Sequence, residues 1–178
     1  MEKNRQGLLH IYCGDGKGKT SAAVGMAVRA AGCGMKVLVI RFLKTENSGE
    51  VEVLRSIPGI TVTPCDRTFG FVFRMTEEQK QEAALYYQSR FEAAAKKAVQ
   101  GQYDLLILDE ILASCNYGMV RETSVVEFLQ NRPEKLEVVL TGRNPSETFL
   151  ELADYVSEIH MRRHPYEKGI PARRGIEF

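Results

Sequence analysis

Residues 13–22 read CGDGKGKTSA, and their types and spacing suit one task, the holding of phosphate. A phosphate-binding loop has the form Gly, four residues, Gly-Lys-Ser/Thr. Gly18-Lys19-Thr20 supplies the end of that pattern, but the position five before Gly18 is Cys13. The first glycine stands one place later, at Gly14, so the loop is one residue short. A glycine turn that opens a helix aims several backbone N–H groups at one point, and the helix dipole adds partial positive charge there. Gly14, Gly16 and Gly18 leave room for the backbone to approach phosphate oxygens. Lys19 supplies a mobile positive charge, and Thr20 offers its hydroxyl to Mg²⁺. Lys17 is a second cation, placed on phosphate or in solvent.

A second acidic motif completes the first. Residues 103–110, YDLLILDE, form an apolar run ending in two carboxylates. An Asp in the position of Asp109, at the end of a buried strand, holds a metal directly or through water. Glu110 either orients a water, ligates the metal or caps the next helix. Together the two motifs make MgATP, or a close relative, the expected ligand. They leave the reaction open, because neither an acceptor site nor an arginine finger is spelled out. Residues 68–75, TFGFVFRM, alternate Phe69, Phe71 and Phe73 in a short polar-flanked segment. Such rings either plug the core or touch a ligand.

The elements that must position these residues alternate between strand and helix. Strands are expected at residues 8–12, 36–43, 60–63, 103–110, 136–142 and 155–161. Residues 19–31 read as a helix rich in small side chains (Ala22, Ala23, Gly25, Ala27, Ala30, Ala31), ended by Gly32 and Gly34. A short helix is expected near 51–56. A long one starts at Thr76, which has capping-box spacing to Gln79 and an inner face of Ala84, Tyr87, Phe91, Ala94 and Ala98. Helical segments then run to residue 130. Asn144 and Pro145 read as the N-cap and first residue of a last helix, to about residue 153. Near-continuous apolar strands between helices imply an α/β fold, a mainly parallel sheet covered on both faces. Ligands of such sheets bind beyond the carboxyl ends of the strands. The loops at 14–20, 44–50, 65–75, 109–110 and 142–143 all fall at that edge.

The chain has 178 residues, the length of one domain spanning 1–178, and 44% apolar content to fill its core. Its 24 basic and 23 acidic residues leave a net charge of +1, which gives no general reason to expect nucleic acid or a membrane as partner. No apolar run approaches the roughly 18 residues of a membrane span, and the polar start MEKNRQG lacks a secretory signal. Cys13, Cys33, Cys65 and Cys115 are too widely spaced for a zinc cage and read as reduced thiols of a cytoplasmic protein. His10, in an apolar strand, reads as structural.

With those residues in view, the chain resembles, end to end, the P-loop ATP:corrinoid adenosyltransferases. The resemblance is carried by residues 14–23, Ser48-Gly49-Glu50, residues 103–110, Arg132-Pro133, Leu140-Thr141-Gly142-Arg143, Leu152-Ala153-Asp154, and the ending His164-Pro165, Gly169 and Gly175-Ile176-Glu177-Phe178. It implies a three-layer, RecA-like P-loop fold, and a reaction in which a cob(I) corrinoid attacks C5′ of ATP and the whole triphosphate leaves. In this family ATP lies reversed relative to a kinase, so the shortened loop grips a leaving group. The resemblance implies that Gly14, Asp15, Gly16, Lys17, Gly18, Lys19, Thr20 and Ser21 hold the triphosphate, with Glu50 and Arg143 also on the nucleotide. It implies Thr20, Asp109 and Glu110 as the Mg²⁺ residues, and Lys19, Thr20 and Glu110 as the catalytic set.

Phe71 and Phe73 match the family's aromatics that press on the lower face of the corrinoid, displace its axial base and ease reduction of Co(II). The family often has Trp where this chain has Phe73. Some members carry an N-terminal arm over the corrinoid; this chain begins almost at its first strand. A homodimer, a flavoprotein reductant and a cytoplasmic setting are further expectations from the resemblance. Two rival readings stand beside it: a phosphotransferase or RecA-like ATPase releasing phosphate or ADP, and a nucleotide-dependent module that binds nucleic acid through Arg162, Arg163, Arg173 and Arg174.

Overall fold

The computed structural model describes residues 6–177; residues 1–5 of the polar start and Phe178 of the ending lie outside the described residues. Six strands form one sheet: β1 (Leu9–Cys13), β2 (Val37–Arg41), β3 (Ile60–Val62), β4 (Leu105–Asp109), β5 (Glu137–Thr141) and β6 (Tyr155–Glu158). Their order is β3-β2-β4-β5-β1-β6, and every pairing is parallel. β2 and β4 are buried along their whole length, as strands covered on both faces must be.

Six helices cover the two faces: α1 (Lys19–Gly32), α2 (Glu50–Ser56), α3 (Glu77–Gln100), α4 (Ile111–Asn116), α5 (Glu122–Gln130) and α6 (Glu147–Leu152). α1 and α2 pack on Val37, Val39, Leu105, Ile107 and Val139. α3 to α6 pack on the opposite faces of the same strands, on Leu38, Ile40, Leu106, Leu108 and Leu140. The helix after β1 buries Ala23, Ala27 and Ala30, whose small side chains let it lie close on the sheet; Ala22 and Gly25 face outward instead.

The capping box of α3 is present in full. Gln79 N donates to Thr76 Oγ1 (3.3 Å), and Thr76 N donates to Gln79 Oε1 (2.9 Å). The buried stripe of α3 is Ala83, Tyr87, Phe91, Ala94 and Ala98, so Ala83 takes the place expected of Ala84. The start of α6 differs from expectation as well. Ser146 is the N-cap and accepts from Phe149 N, while Asn144 turns into the left-handed region at φ 49°. Asn116 Nδ2 donates to the carbonyls of Arg143 and Asn144 and holds that turn against α4.

Strands β2, β4, β5 and β6 are shorter than their apolar runs. For β2, Phe42 shows the reason. It is fully buried and its N–H still bonds Asp109 O at 2.9 Å, but at Leu43 the backbone swings to φ 52° and the strand ends. Burial continues into the loop where extended backbone does not. The register sets Tyr12 beside Thr141 and Arg41 beside Asp109, so the carboxyl ends of β1, β5, β4 and β2 finish at a common edge.

Candidate active site

The glycine loop joins β1 to α1 at that edge. Gly18 has φ 125° and nothing but the tip of Ile159 within 4 Å of where a Cβ would stand, so its side is open. The room at Gly14 and Gly16 is used differently from expectation. A Cβ at either would lie 2.4 or 2.7 Å from the Ile159 carbonyl oxygen, which accepts the Gly16 N–H at 2.7 Å. Those two glycines admit the chain leaving β6, and that chain seats the loop. The first amides of α1 remain without intrahelical carbonyls, as at any helix start.

Lys19 is buried, and its ammonium donates to Gly16 O at 2.7 Å. Burial lowers its pKa; the Glu110 carboxylate works against that and the Arg143 guanidinium with it. Asp15 accepts Met161 N–H at 2.9 Å, which holds its carboxyl below the usual range and ties the loop to the segment after β6. Arg143 reaches the Asp15 carbonyl at 3.5 Å.

The two halves of the proposed metal site meet. Asp109 Oδ1 accepts from Thr20 Oγ1 at 3.0 Å and from Thr141 Oγ1 at 2.7 Å. Its other oxygen, Oδ2, is buried and accepts no aligned hydrogen bond among the described residues; it lies 2.6 Å from Lys44 Nζ as an ion pair. Lys44 also donates to Thr20 Oγ1 at 2.7 Å. Glu110 sits at the start of α4 with φ 63° and makes no side-chain cap, so the capping reading of this residue does not hold. Its N–H instead binds Thr141 Oγ1 at 2.8 Å, and its carboxylate lines the loop cavity. Burial raises the Glu110 pKa, and the Asp109 charge adds to the rise; Lys44, Lys19 and Arg143 oppose it.

Two hollows meet at Thr20, Ser21 and Lys44. One, of about 310 Å³, runs along the glycine loop and is also lined by Lys17, Glu110 and Arg143. The other, of about 650 Å³, is walled by Ser48, Glu50, Val24 and Leu43. Ile176 and Glu177 of the basic tail line both. Arg173 holds Glu177 in place through N (2.7 Å), Nε (3.3 Å) and Nη2 (3.0 Å).

The phenylalanines differ in their surroundings. Phe69 packs on Tyr86 and Tyr87, at 5.5 and 5.8 Å between ring centroids, and is a core plug. Phe71 and Phe73 are 66% and 78% exposed and stack on each other at 5.4 Å around a 3-10 turn, Val72–Arg74. The Arg74 guanidinium lies 5.8 and 5.6 Å from the two rings. Neither ring lines the two hollows.

Comparison with known proteins bears on this arrangement. The family model for ATP:corrinoid adenosyltransferases BtuR/CobO/CobP matches residues 5–178. The chain belongs to that family. It is 33% identical over 177 residues to a corrinoid adenosyltransferase of Pseudomonas aeruginosa, covering 99% of this chain and 86% of the relative. It is 32% identical to one of Escherichia coli K12, covering 99% and 88%. Among solved structures, a KaiC-like protein of Pyrococcus horikoshii shares the fold, with a TM-score of 0.50 at 14% identity over 89% of this chain and 75% of that one. The sheet is thus of the RecA-like P-loop kind.

In this member of the adenosyltransferase family, several site residues escape sequence reasoning. Thr141 carries both Asp109 and Glu110; it stands in the 140–143 stretch that carries the resemblance, but a threonine inside an apolar strand gives no sign of that role. Lys44 falls in the 44–50 loop at the correct edge, but a single lysine after a strand is not a motif. Glu46 anchors that loop through Arg41 Nη2 (2.9 Å), Arg55 Nη2 (2.7 Å) and the Cys65 N–H. Burial would raise the Glu46 carboxyl, but the Cys65 N–H and the two arginines hold it below its ordinary value. These partners lie five to nineteen positions away and follow no period.

Proposed function

We propose that this chain transfers the 5′-deoxyadenosyl group of ATP to the cobalt of a reduced corrinoid at the edge formed by Gly14–Ser21, Lys44, Glu50 and Asp109-Glu110. The activity itself is the one that membership of the adenosyltransferase family carries. The cobalt-centred electron pair of the Co(I) substrate forms the new bond to C5′. The C5′–O bond breaks, and its electron pair leaves with the triphosphate. Charge therefore builds on the departing phosphates, and the amides at the start of α1, with Lys19, stabilise it where they stand. Lys19 turns from the Gly16 carbonyl onto a phosphate oxygen in doing so. Glu50 and Arg143 flank the nucleotide, which lies reversed relative to a kinase.

The donor set suits a magnesium ion. Thr20 hydroxyl and the Asp109 and Glu110 carboxylates are hard oxygens, and Asp109 Oδ2 is buried without an aligned hydrogen bond. Among the described residues no group of three or more His, Cys, Asp and Glu could hold a metal by itself, which fits an ion that relies on substrate phosphates for its remaining ligands. When bound there, Mg²⁺ supplies neutralisation of the leaving triphosphate. Phe71 and Phe73 press on the corrinoid. A homodimer, a cytoplasmic setting and a flavoprotein that delivers the electron are part of the same proposal and rest on family membership alone.

The observation that carries the residue assignment is the Thr20–Asp109 hydrogen bond at the mouth of the glycine loop. The test is anaerobic incubation with MgATP and chemically reduced cob(I)alamin. A photolabile Co–C bond and one equivalent of inorganic triphosphate are expected. Orthophosphate or ADP as the sole product would return the reading to a phosphotransferase.

A further inference from the structure

Lys44 has no role in the chemistry above, yet it occupies the centre of the site. Its ammonium lies 2.6 Å from Asp109 Oδ2 and 2.7 Å from Thr20 Oγ1. Those are the two groups that stand ready for a metal ion. Asp109 is 2% exposed, so its ionised carboxylate requires a positive partner in low dielectric. Two threonine hydroxyls satisfy one oxygen; the other, buried, is ion-paired to this cation.

The backbone aims the lysine there. Leu43, a side chain that disfavours the left-handed region, is held at φ 52° directly before it. The turn is braced by the Glu46 pairs to Arg41 and Arg55 on one side and by Leu43 against the α3 core on the other. The lysine itself is only partly covered. Its side chain is 22% exposed and lines both the 310 and the 650 Å³ hollows, so it can turn into either without moving the loop.

We infer that Lys44 is a built-in cation that holds the metal position between Thr20 and Asp109 until a metal–nucleotide complex displaces it onto the phosphates. This rests on the proposed metal role of Thr20 and Asp109 and deepens it. It has two consequences. Without nucleotide, the lysine competes with a divalent ion for the same two oxygens, so the empty protein binds metal poorly. Without metal, the lysine is a positive charge already placed beside the triphosphate, so the protein binds nucleotide alone.

Both can be read without corrinoid or turnover. Mn²⁺ is titrated into nucleotide-free protein and followed by electron paramagnetic resonance of the free ion. Lys44→Met, close in shape and neutral, is expected to bind Mn²⁺ roughly tenfold or more tightly than the native chain, and Lys44→Arg no more tightly. In EDTA, calorimetry with ATP is expected to show a loss of roughly tenfold or more in the Met variant, with Arg retaining most of the affinity. Adding Asp109→Asn to Lys44→Met is expected to abolish the gained Mn²⁺ affinity, which locates the ion. Lys44→Gln serves should the Met variant not fold, as judged by its melt. Unchanged Mn²⁺ affinity on neutralising Lys44, in a folded protein, overturns the inference. A gain that survives Asp109→Asn overturns it too, because the metal then binds elsewhere. Failure of adenosyl transfer with these results intact would count against the proposed reaction alone.

Discussion

Thr141 Oγ1 donates to Asp109 Oδ1 at 2.7 Å while accepting the Glu110 N–H at 2.8 Å, so one buried hydroxyl on β5 sets both carboxylates at the end of β4. Thr141→Val keeps the shape and deletes both bonds. A stranded buried group costs about 1–3 kcal/mol, and loss of a group that orients a metal ligand typically weakens metal affinity by about 10–100-fold. Lower thermal stability together with weaker Mn²⁺·ATP binding is expected, and Thr141→Ser should restore both. A valine variant with native metal affinity would mean that Asp109 is positioned by Thr20 alone.

Lys19 makes a prediction of opposite sign for stability and activity. Its ammonium is desolvated over a carbonyl in the resting protein. Lys19→Met removes the cation proposed to face the departing triphosphate, and a fall in kcat/KM of about 100-fold or more is expected. The same change relieves a buried charge, so the melting temperature should stay level or rise. Triphosphate release and a thermal melt on the same preparation check both. Undiminished kcat/KM would remove Lys19 from the phosphate role.

The division of what the sequence disclosed follows from physics. Runs such as LLILD and the stripe on α3 are periodic because burial imposes a period, so strand and helix order is legible. The glycine loop and the Asp-Glu strand end are legible because phosphate and metal each demand several residue types at fixed spacing. Ser146 displaced Asn144 as a cap because a left-handed turn at Asn144, pinned by Asn116, shifts the helix start by two residues. Gly14 and Gly16 were read as room for phosphate, whereas Ile159, some 145 residues later, fills that room. Contacts between residues so far apart in sequence leave no local pattern, and Lys44, Glu46 and Thr141 are hidden for the same reason.

Four free thiols give a pH-dependent test of the described packing. Burial, with Glu122 nearby, pushes the Cys115 thiol up to about 12. Burial also raises Cys13 and Cys65, while Cys33 is exposed. Iodoacetamide at pH 8 should therefore label Cys33 first, since only about one Cys115 thiol in 10,000 is ionised there. A thiol whose folded value is raised contributes stability that is fully present below its unfolded value and lost as pH rises toward the folded one. For Cys115 that window runs from its ordinary value of 9.0 to about 12. Cys115→Ala should flatten the alkaline decline of the melting temperature across it. Rapid labelling of Cys115 at pH 8 in folded protein would contradict the packing of α4.

Phe73 tests the corrinoid side independently of phosphate. At 78% exposure it adds little to folding, so Phe73→Ala should move stability by no more than about 0.5 kcal/mol. Its proposed task is to favour loss of the axial base before reduction. Transfer that starts from Co(II) with a reductant should then fall further than transfer from pre-reduced Co(I), and Phe73→Trp should retain or raise the Co(II) route. Equal losses on both routes would make the ring a binding surface only, without an effect on the cobalt.

The tail supplies the last prediction. Ile176 and Glu177 line both hollows, and beside backbone bonds to Arg173 O the lid they form is held by the partly exposed Arg173–Glu177 pair. Exposed pairs of this kind are weak and screened by salt. Glu177→Ala should therefore leave the melt unchanged and raise KM for ATP roughly two- to fivefold, with the difference shrinking as salt rises. Arg173→Ala should act in the same direction, because it releases the same lid from the other end. The double variant should then add little to either single one, since the second change removes a partner from a pair already broken. Full additivity would show that the two residues act on the nucleotide separately and that the tail is not held as one lid.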